Sequence, residues 1–413
     1  MQDHNINIDY TGAKGPLFGL TLKTGLLTVV TLGLYRFWQK TRIRRYIWAS
    51  VDAGGDRFEY TGTGLEKFLG FLVAVVFLAV YLGLWQILLF FLGVTFLPDS
   101  GQGALAQAVV LSLPALAVVP FALFAIYRAR RYKMARTRFR GIRLGMEKGA
   151  WGYVWRALGY GALTVVSLGA LWPLMTFRLE AYMTNHSYFG TTPLRQLGHW
   201  TALYRPMKHL LIALMILFGS VALFALGAAR DSIGLPILGG LAGMVGVIWL
   251  VVGYVSYSVN SFAYLMSHKV IGHPGEGDDI RFHASPKTRE VIRIYVLGVI
   301  LIGLIGSVVF GAIGILSAPI LMGPNLSAPG GDADAMLMQA VVLGAVIVIG
   351  YLIGIVVLRA LTMILITQPT LAHYIDTITV TNPQALDRIS QREALTGIDA
   401  DGFADALDIG GAI

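Results

Sequence analysis

Six long stretches of the chain are apolar and uncharged, at residues 68–98, 101–127, 209–229, 232–268, 294–331 and 335–358. Each reaches or exceeds the about 20 residues that a helix needs to cross roughly 30 Å of hydrocarbon, so six spanning helices are expected. Two shorter runs resemble each other. LTVVTLGLYRFWQKTRIRRY at 27–46 returns as LTVVSLGALWPLMTFRLEAY at 163–182, with LTVV, an LG break, an arginine (Arg42, Arg178) and a tyrosine (Tyr46, Tyr182) at matching offsets. Between Lys23 and Arg36 lie 12 uncharged residues. That is about 18 Å of helix, too short to cross, and fits a re-entrant or interfacial segment. The second copy has 21 uncharged residues between Arg156 and Arg178. Length alone therefore leaves 157–177 open between spanning and re-entry, while Pro173, just after the break, favours a kink or turn.

Between these runs, apolar and polar residues alternate in short pieces bounded by Gly, Pro or Asn, the pattern of half-buried strands. DYTGAKGPLFGL at 9 and EYTGTGLEKFLGF at 59 are close copies, and looser relatives begin at 137, 187, 279 and 376. Six strand-like pieces thus separate five membrane units, 20–48, 69–132, 154–182, 208–264 and 291–370, ending near Tyr46, Tyr132, Tyr182, Tyr264 and Tyr374. If all the pieces lie on one side, each unit must leave and return there.

Composition agrees with a membrane chain. Of 413 residues, 56% are apolar and 13% charged, against roughly 25% charged in soluble domains, and the mean hydropathy is +0.67. A net charge of +9 could indicate nucleic acid, but the distribution gives a better account. Thirty-one of the 32 Lys and Arg lie at the N-terminus or in segments 36–68, 128–156, 178–208, 269–293 and 359–392; the other three connections hold only Arg230. Such a bias marks the cytoplasmic side, so both termini are expected there and no nucleic-acid partner is. The start, MQDHNINIDY, lacks the n- and h-regions of a cleaved signal. Without cysteine, disulfides, thiolate metal sites and cysteine nucleophiles are excluded.

The expected fold is an all-α integral membrane protein: six transmembrane helices plus two re-entrant or interfacial helices, built from internal repeats, with a small cytoplasmic β-rich connector layer. Residues 1–150 and 151–290 form repeat halves, 291–375 a third transmembrane hairpin and 376–413 a cytoplasmic tail. Irregular backbone at membrane depth needs shielding, so the breaks at Gly33 and Gly169 are expected inside the bundle, related by a pseudo-two-fold axis as in parallel-repeat transporters. The alternative is that both short units are interfacial helices bracing the bundle.

LLTVVTLGLYRFWQKTRIRRYIW, DRFEYTGTGLEKFLGF, RTRFRGIRLG and the ending DADGFADALDIGGAI resemble the DUF898, or YjgN-like, family of bacterial inner-membrane proteins. The resemblance implies an inner-membrane location and this architecture, but no activity, and the family's association with genes for a zinc metalloprotease adds a protease as a candidate partner.

No HExxH, GxSxG, P-loop or dinucleotide motif occurs, so neither an enzyme nor a cofactor is expected. His268, His273 and His283, with Glu276, Asp278 and Asp279, match no zinc spacing and read as a solvated loop. In the tail, GIDADG lacks the glutamate of a calcium loop, and Asp401 reads as a helix cap. Intramembrane ionisable residues are functional candidates, and Lys23 and Glu180 are the two expected inside. Glu180 either pairs with Arg42 or Arg45 of the first copy, gating or lining a path, or forms a snorkelling pair that fixes orientation. Arg45, Tyr46, Arg178 and Tyr182 complete the candidate set. KTRIRRYIW, with Trp38 and Trp48, reads as an interfacial anchor; with RARRYKMARTRFR at 128–140 it could instead form a pocket for anionic lipid head groups. Gly239–Gly243 and Gly350–Gly354 spacings indicate close helix packing. The leading expectation is a transporter or channel-like protein for a small solute or lipid. The alternative is a non-catalytic scaffold or regulator of another membrane complex, such as a protease, with the apolar ending DALDIGGAI as a docking peptide. A homo-oligomer or a membrane-protein partner fits either.

Overall fold

A computed structural model describes residues 5–91, 104–273, 279–321 and 333–392. Glu276, Asp278, Asp401 and the ending DALDIGGAI lie outside the described residues, as do most of the arginine-poor connections at 97–103 and 327–336.

The all-α expectation, with β-structure confined to a small connector layer, is corrected by a closed barrel in which ten antiparallel strands follow chain order. Three connectors expected to hold single strands are hairpins of a three-residue strand, a two-residue turn and a five-residue strand. These are β2 (Val51–Ala53) with β3 (Asp56–Tyr60), β4 (Thr137–Phe139) with β5 (Ile142–Met146), and β6 (Ser187–Phe189) with β7 (Thr192–Gln196). β8 (Lys269–Ile271) and β9 (Ile280–Ala284) are joined by a longer loop. β1 (Ile6–Tyr10) pairs on one side with β2 and on the other with β10 (Ile378–Thr381), through Ile6 opposite Val380, and so closes the barrel. Three residues carry too little period-two signal to register as a strand. The turn between β4 and β5 puts Arg140 and Gly141 at φ 51° and 74°, the left-handed pair that matches strand twist.

Because neighbouring strands alternate in direction, every connection from an odd to an even strand leaves and returns at one rim, and those five connections hold the helices. Between β1 and β2 lie α1 (Lys14–Val30) and α2 (Arg36–Ala49); between β3 and β4, α3 (Gly64–Phe91) and α4 (Ala104–Ala135). Between β5 and β6 lie α5 (Ala150–Val166) and α6 (Trp172–Asn185); between β7 and β8, α7 (Tyr204–Ala229) and α8 (Gly234–Ser267). The last pair, α9 (Thr288–Leu321) and α10 (Ala333–Thr362), runs through a π-helical turn into α11 (Gln368–Ile375). Six helical segments among the described residues, in the α3–α4, α7–α8 and α9–α10 pairs, are long and apolar enough to span a membrane. The expected glycine contacts occur there: Gly239 and Gly243 lie against Ser220, Gly350 against Ile313, and Gly354 against Phe310.

A ten-strand barrel is wider than the eight strands whose side chains alone fill the interior. Here Phe58 stacks on Phe139 at 4.6 Å, Phe139 meets Phe189 at 6.4 Å, and Ala385, Leu386 and Ile389 of a 3-10 turn (Pro383–Arg388) and its exit pack into the same core. Thr191 N–H donates to the Ser390 carbonyl at 3.0 Å. The described part of the expected tail is thus a barrel strand and a plug at the rim opposite the helices.

Candidate functional site

The short units fold as two helical hairpins with the same tip. In the first, Gly33 N–H donates to the Thr28 carbonyl (2.7 Å) and Leu32 N–H to Val29 (3.0 Å); in the second, Gly169 donates to Thr164 (2.7 Å) and Leu168 to Val165 (3.0 Å). This is a Schellman ending. Leu32 and Leu168 sit at φ 50° and 51°, followed by Gly33 and Gly169 at 92° and 88°. The Thr31 and Ser167 hydroxyls each accept the backbone N–H four residues on, at 3.0 Å. Residues 157–177 therefore hold a turn rather than one continuous helix. The expectation that Gly33 and Gly169 lie inside the bundle is corrected: both tips project outward, with Leu32 94% and Leu168 80% exposed. Local bonds satisfy the backbone of the break, so it needs no shield of neighbouring helices.

The two tyrosines are latches. Tyr46 donates to the Ala13 carbonyl at 2.8 Å, and Tyr182 to the Gly149 carbonyl at 2.9 Å, each tying the end of a hairpin's second helix to the start of its first. Arg42 lies over the Tyr35 ring at 5.7 Å, the Arg45 guanidinium is 3.5 Å from the Gly62 carbonyl, and Arg178 is exposed on α6. These residues do not converge. Lys23, expected inside, is exposed.

Glu180 does sit in a cluster, but with partners other than Arg42 or Arg45. Arg130 of α4 grips it through both oxygens at 2.7 and 3.0 Å, and Lys269, the first residue of β8, donates at 2.6 Å. The side chains of Glu180 and Lys269 are only 19% and 17% exposed, too enclosed for a snorkelling surface pair. Burial alone would raise the Glu180 pKa, but the Arg130 and Lys269 charges outweigh it and hold the carboxyl well below the usual carboxylate range. Beside the cluster, burial raises the pKa of the Tyr153 hydroxyl, and the Arg130 charge opposes it. With two cations and one carboxylate, the cluster keeps one surplus positive charge.

The cluster stands between two cavities. The first, about 550 Å³, lies at the helix-side mouth of the barrel and is lined by Ile47, Trp48, Arg130, Lys133, Met183 and Leu371, among others. It joins the KTRIRRYIW run to the RARRYKMARTRFR run, and Trp48 Nε1–H donates across it to Thr137 at 2.9 Å. Its walls are mostly hydrocarbon, and its charges are the cations Arg130 and Lys133. The second, about 390 Å³, lies between α6 and α8, with Glu180 and Lys269 on its wall beside the hydroxyls of Thr176, Tyr257 and Ser261. Sequence reasoning singled out Glu180 but missed Arg130 and Lys269 as its partners. One helical face carrying Ile126, Arg130 and Lys133 was the available signal. Among the described residues, no group of three or more His, Asp or Glu side chains could hold a metal ion.

Residues 5–304 match the family model described as "Bacterial protein of unknown function (DUF898)". The curated relatives include Inner membrane protein YjgN of Salmonella typhimurium, 27% identical over 173 residues, which cover 41% of this chain and 38% of that protein. The proteins of the same name from Escherichia coli O157:H7 and K12 are 26% and 24% identical, with 38% of this chain and 35% of each relative covered. The match therefore spans less than two-fifths of the length of these relatives. No solved structure matches.

Proposed function

The chain belongs to the DUF898 family, and from that premise we propose that it is an inner-membrane transport protein for an amphipathic anion. The observation that carries this reading is the 550 Å³ cavity, with apolar walls beneath Arg130 and Lys133. Its size falls within the about 300–1,000 Å³ usual for ligand pockets. Hydrocarbon walls suit an apolar chain, and Lys133 beside the surplus charge of the Glu180 cluster, which Arg130 belongs to, suits an acidic head. Glu180 and Lys269 face the second cavity while Arg130 faces the first, so parting the bidentate pair would connect the two. In this reading the cluster is the gate, the three long helical pairs span the bilayer, and the barrel lies on the cytoplasmic side with both termini. The hairpins α1–α2 and α5–α6 dip into the bilayer: 17 residues in α1 and α5 give about 25 Å of helix, short of the roughly 30 Å core. No catalytic chemistry is assigned to the site.

The test is the transbilayer movement of NBD-labelled lysophosphatidylglycerol, read by dithionite quenching, in vesicles holding the full chain. Faster loss of inner-leaflet protection than in empty vesicles is expected. Met183→Trp, which fills the first cavity without changing a charge, should slow the movement. Equal rates with and without the protein would remove the transport reading. The barrel interior, filled among the described residues by packed side chains and the 3-10 turn, favours a second reading, a non-catalytic scaffold for another membrane complex.

A further inference from the structure

α4 presents a second set of cations on another face, away from the proposed gate. Phe124, Arg128 and Arg131 repeat at the i, i+4, i+7 spacing of one helical stripe, and with Lys148 and the opening turn of α5 they line a cavity of about 490 Å³. None of its lining residues is acidic. A groove of about 350 Å³ adjoins it through the shared residues Phe124, Arg128 and Trp151 and continues between α3 and α4 along Phe121, Phe77 and Val73. The groove is built rather than accidental. Phe77 stacks on Phe121 at 5.5 Å, and the Tyr81 hydroxyl bridges to the Ala117 carbonyl at 2.8 Å beyond them. From residue 128 to residue 120 the α4 side of the groove runs about 12 Å along the helix. At the junction, the Arg128 guanidinium lies 5.5 Å over the Phe124 ring, which meets Trp151 at 5.2 Å.

We infer that this outer flank is a binding site for an anionic phospholipid, with its phosphate among Arg128, Arg131 and Lys148 and an acyl chain in the α3–α4 groove. Charge and polarity change together along the site. Three cations occupy the end by the barrel rim, and the side running into the spanning pair is hydrocarbon. Trp151, 60% exposed at the boundary, is the amphipathic residue favoured at head-group depth. A free phosphate would leave the groove unfilled, and a neutral apolar molecule would not match the positive charge that Arg128, Arg131 and Lys148 place at one end of the site. The occupant is therefore a bilayer lipid with a charged head. This site is separate from the gate and does not depend on the transport reading.

Native mass spectrometry of the full-length protein, offered equal amounts of phosphatidylglycerol and phosphatidylethanolamine, tests the assignment. The wild type should retain phosphatidylglycerol in preference. Lys148→Gln and Arg128→Gln should each weaken that retention about fivefold, since each interfacial cation near an anionic lipid contributes on the order of a fivefold change in binding. Val73→Trp, at a residue 66% exposed in the groove, should weaken phospholipid retention with every charge in place. Lys148 is itself exposed, so its variant leaves the core intact. Equal retention of the two lipids, unchanged retention in the Arg128→Gln/Lys148→Gln double variant, or unchanged retention in Val73→Trp would overturn the site. Displacement of the lipid by millimolar inorganic phosphate would reassign it to free anions. Met183→Trp should leave this retention unaltered, which separates failure here from failure of the gate.

Discussion

Glu180 is held by two cations, and taking it away should cost more than the pairing itself contributes. Glu180→Gln leaves Arg130 and Lys269 enclosed side by side without their counter-charge, and breaking such a pair from one side typically costs about 3–5 kcal/mol. Denaturation of the detergent-solubilised protein should show a loss at the lower end of that range, because the cluster retains some exposure. Adding Lys269→Met should recover part of it. The pH dependence has a definite sign. The folded-state pKa of Glu180 lies below its ordinary value of 4.5, so its contribution is complete above that value and declines below it, where acid protonates the unfolded chain's carboxyl first, until the native carboxylate is protonated as well. The gap in Tm between wild type and Glu180→Gln should be constant from about pH 8 to 6 and narrow below about pH 4. A gap that widened in acid would mean that the carboxyl is not held ionised. In the sequence, scarcity of charge within apolar runs was enough to single out Glu180. Its partners were hidden because RARR offers several equivalent cations and only the packing of α4 against α6 selects Arg130.

At the scale of the element, the two short hairpins share one design at an offset of 136 residues: the Schellman tip, the hydroxyl that closes it and the tyrosine latch at its base. Gly169 is at φ 88° with nothing within 4 Å of a Cβ, so a larger residue there meets backbone strain rather than a clash. Gly169→Val should loosen the tip by about 1–2 kcal/mol, seen as faster hydrogen exchange at residues 164–172 with little change in overall Tm. Unchanged exchange would show that the tip is not held by this turn. Tyr182→Phe removes one hydrogen bond from the base and should cost about 1 kcal/mol, leaving transport of the labelled lysolipid at the wild-type rate. The repeat, its break and its terminal tyrosine were all legible in the sequence because each lies within some twenty consecutive residues. The outward position of the break was not, because it depends on whether the freed backbone groups are satisfied locally, as Thr31 and Ser167 arrange here.

For the whole molecule, strand parity places all five helical connections at one rim of the barrel. Odd-to-even connections all return to one rim, so any membrane met by the three long helical pairs lies on that side of the barrel, and the pairs' far ends lie beyond it. The closing contact of Ile6 with Val380 was invisible to local pattern, since it joins the two ends of the chain. From the sequence, each unit leaves and returns on one side only on the condition that all the strand-like pieces lie there, and the strand order meets that condition. A chain without cysteine permits a direct test with a membrane-impermeant maleimide on intact spheroplasts. Ile233, 81% exposed at the start of α8, lies at the far end of the α7–α8 pair and should label as Ile233→Cys without permeabilisation. Arg57, on β3 with its side chain 63% exposed, should label as Arg57→Cys only after the membrane is opened. Each long pair starts and ends at the same rim, so if the pairs cross the bilayer these two positions lie on opposite sides whichever way the protein inserts. Labelling of both from outside would therefore mean that α7 and α8 do not cross the bilayer. The reverse pattern would keep the crossing but place the barrel, the plug at its far rim and both proposed sites on the outer face, against the 31 of 32 basic residues that favour the cytoplasm.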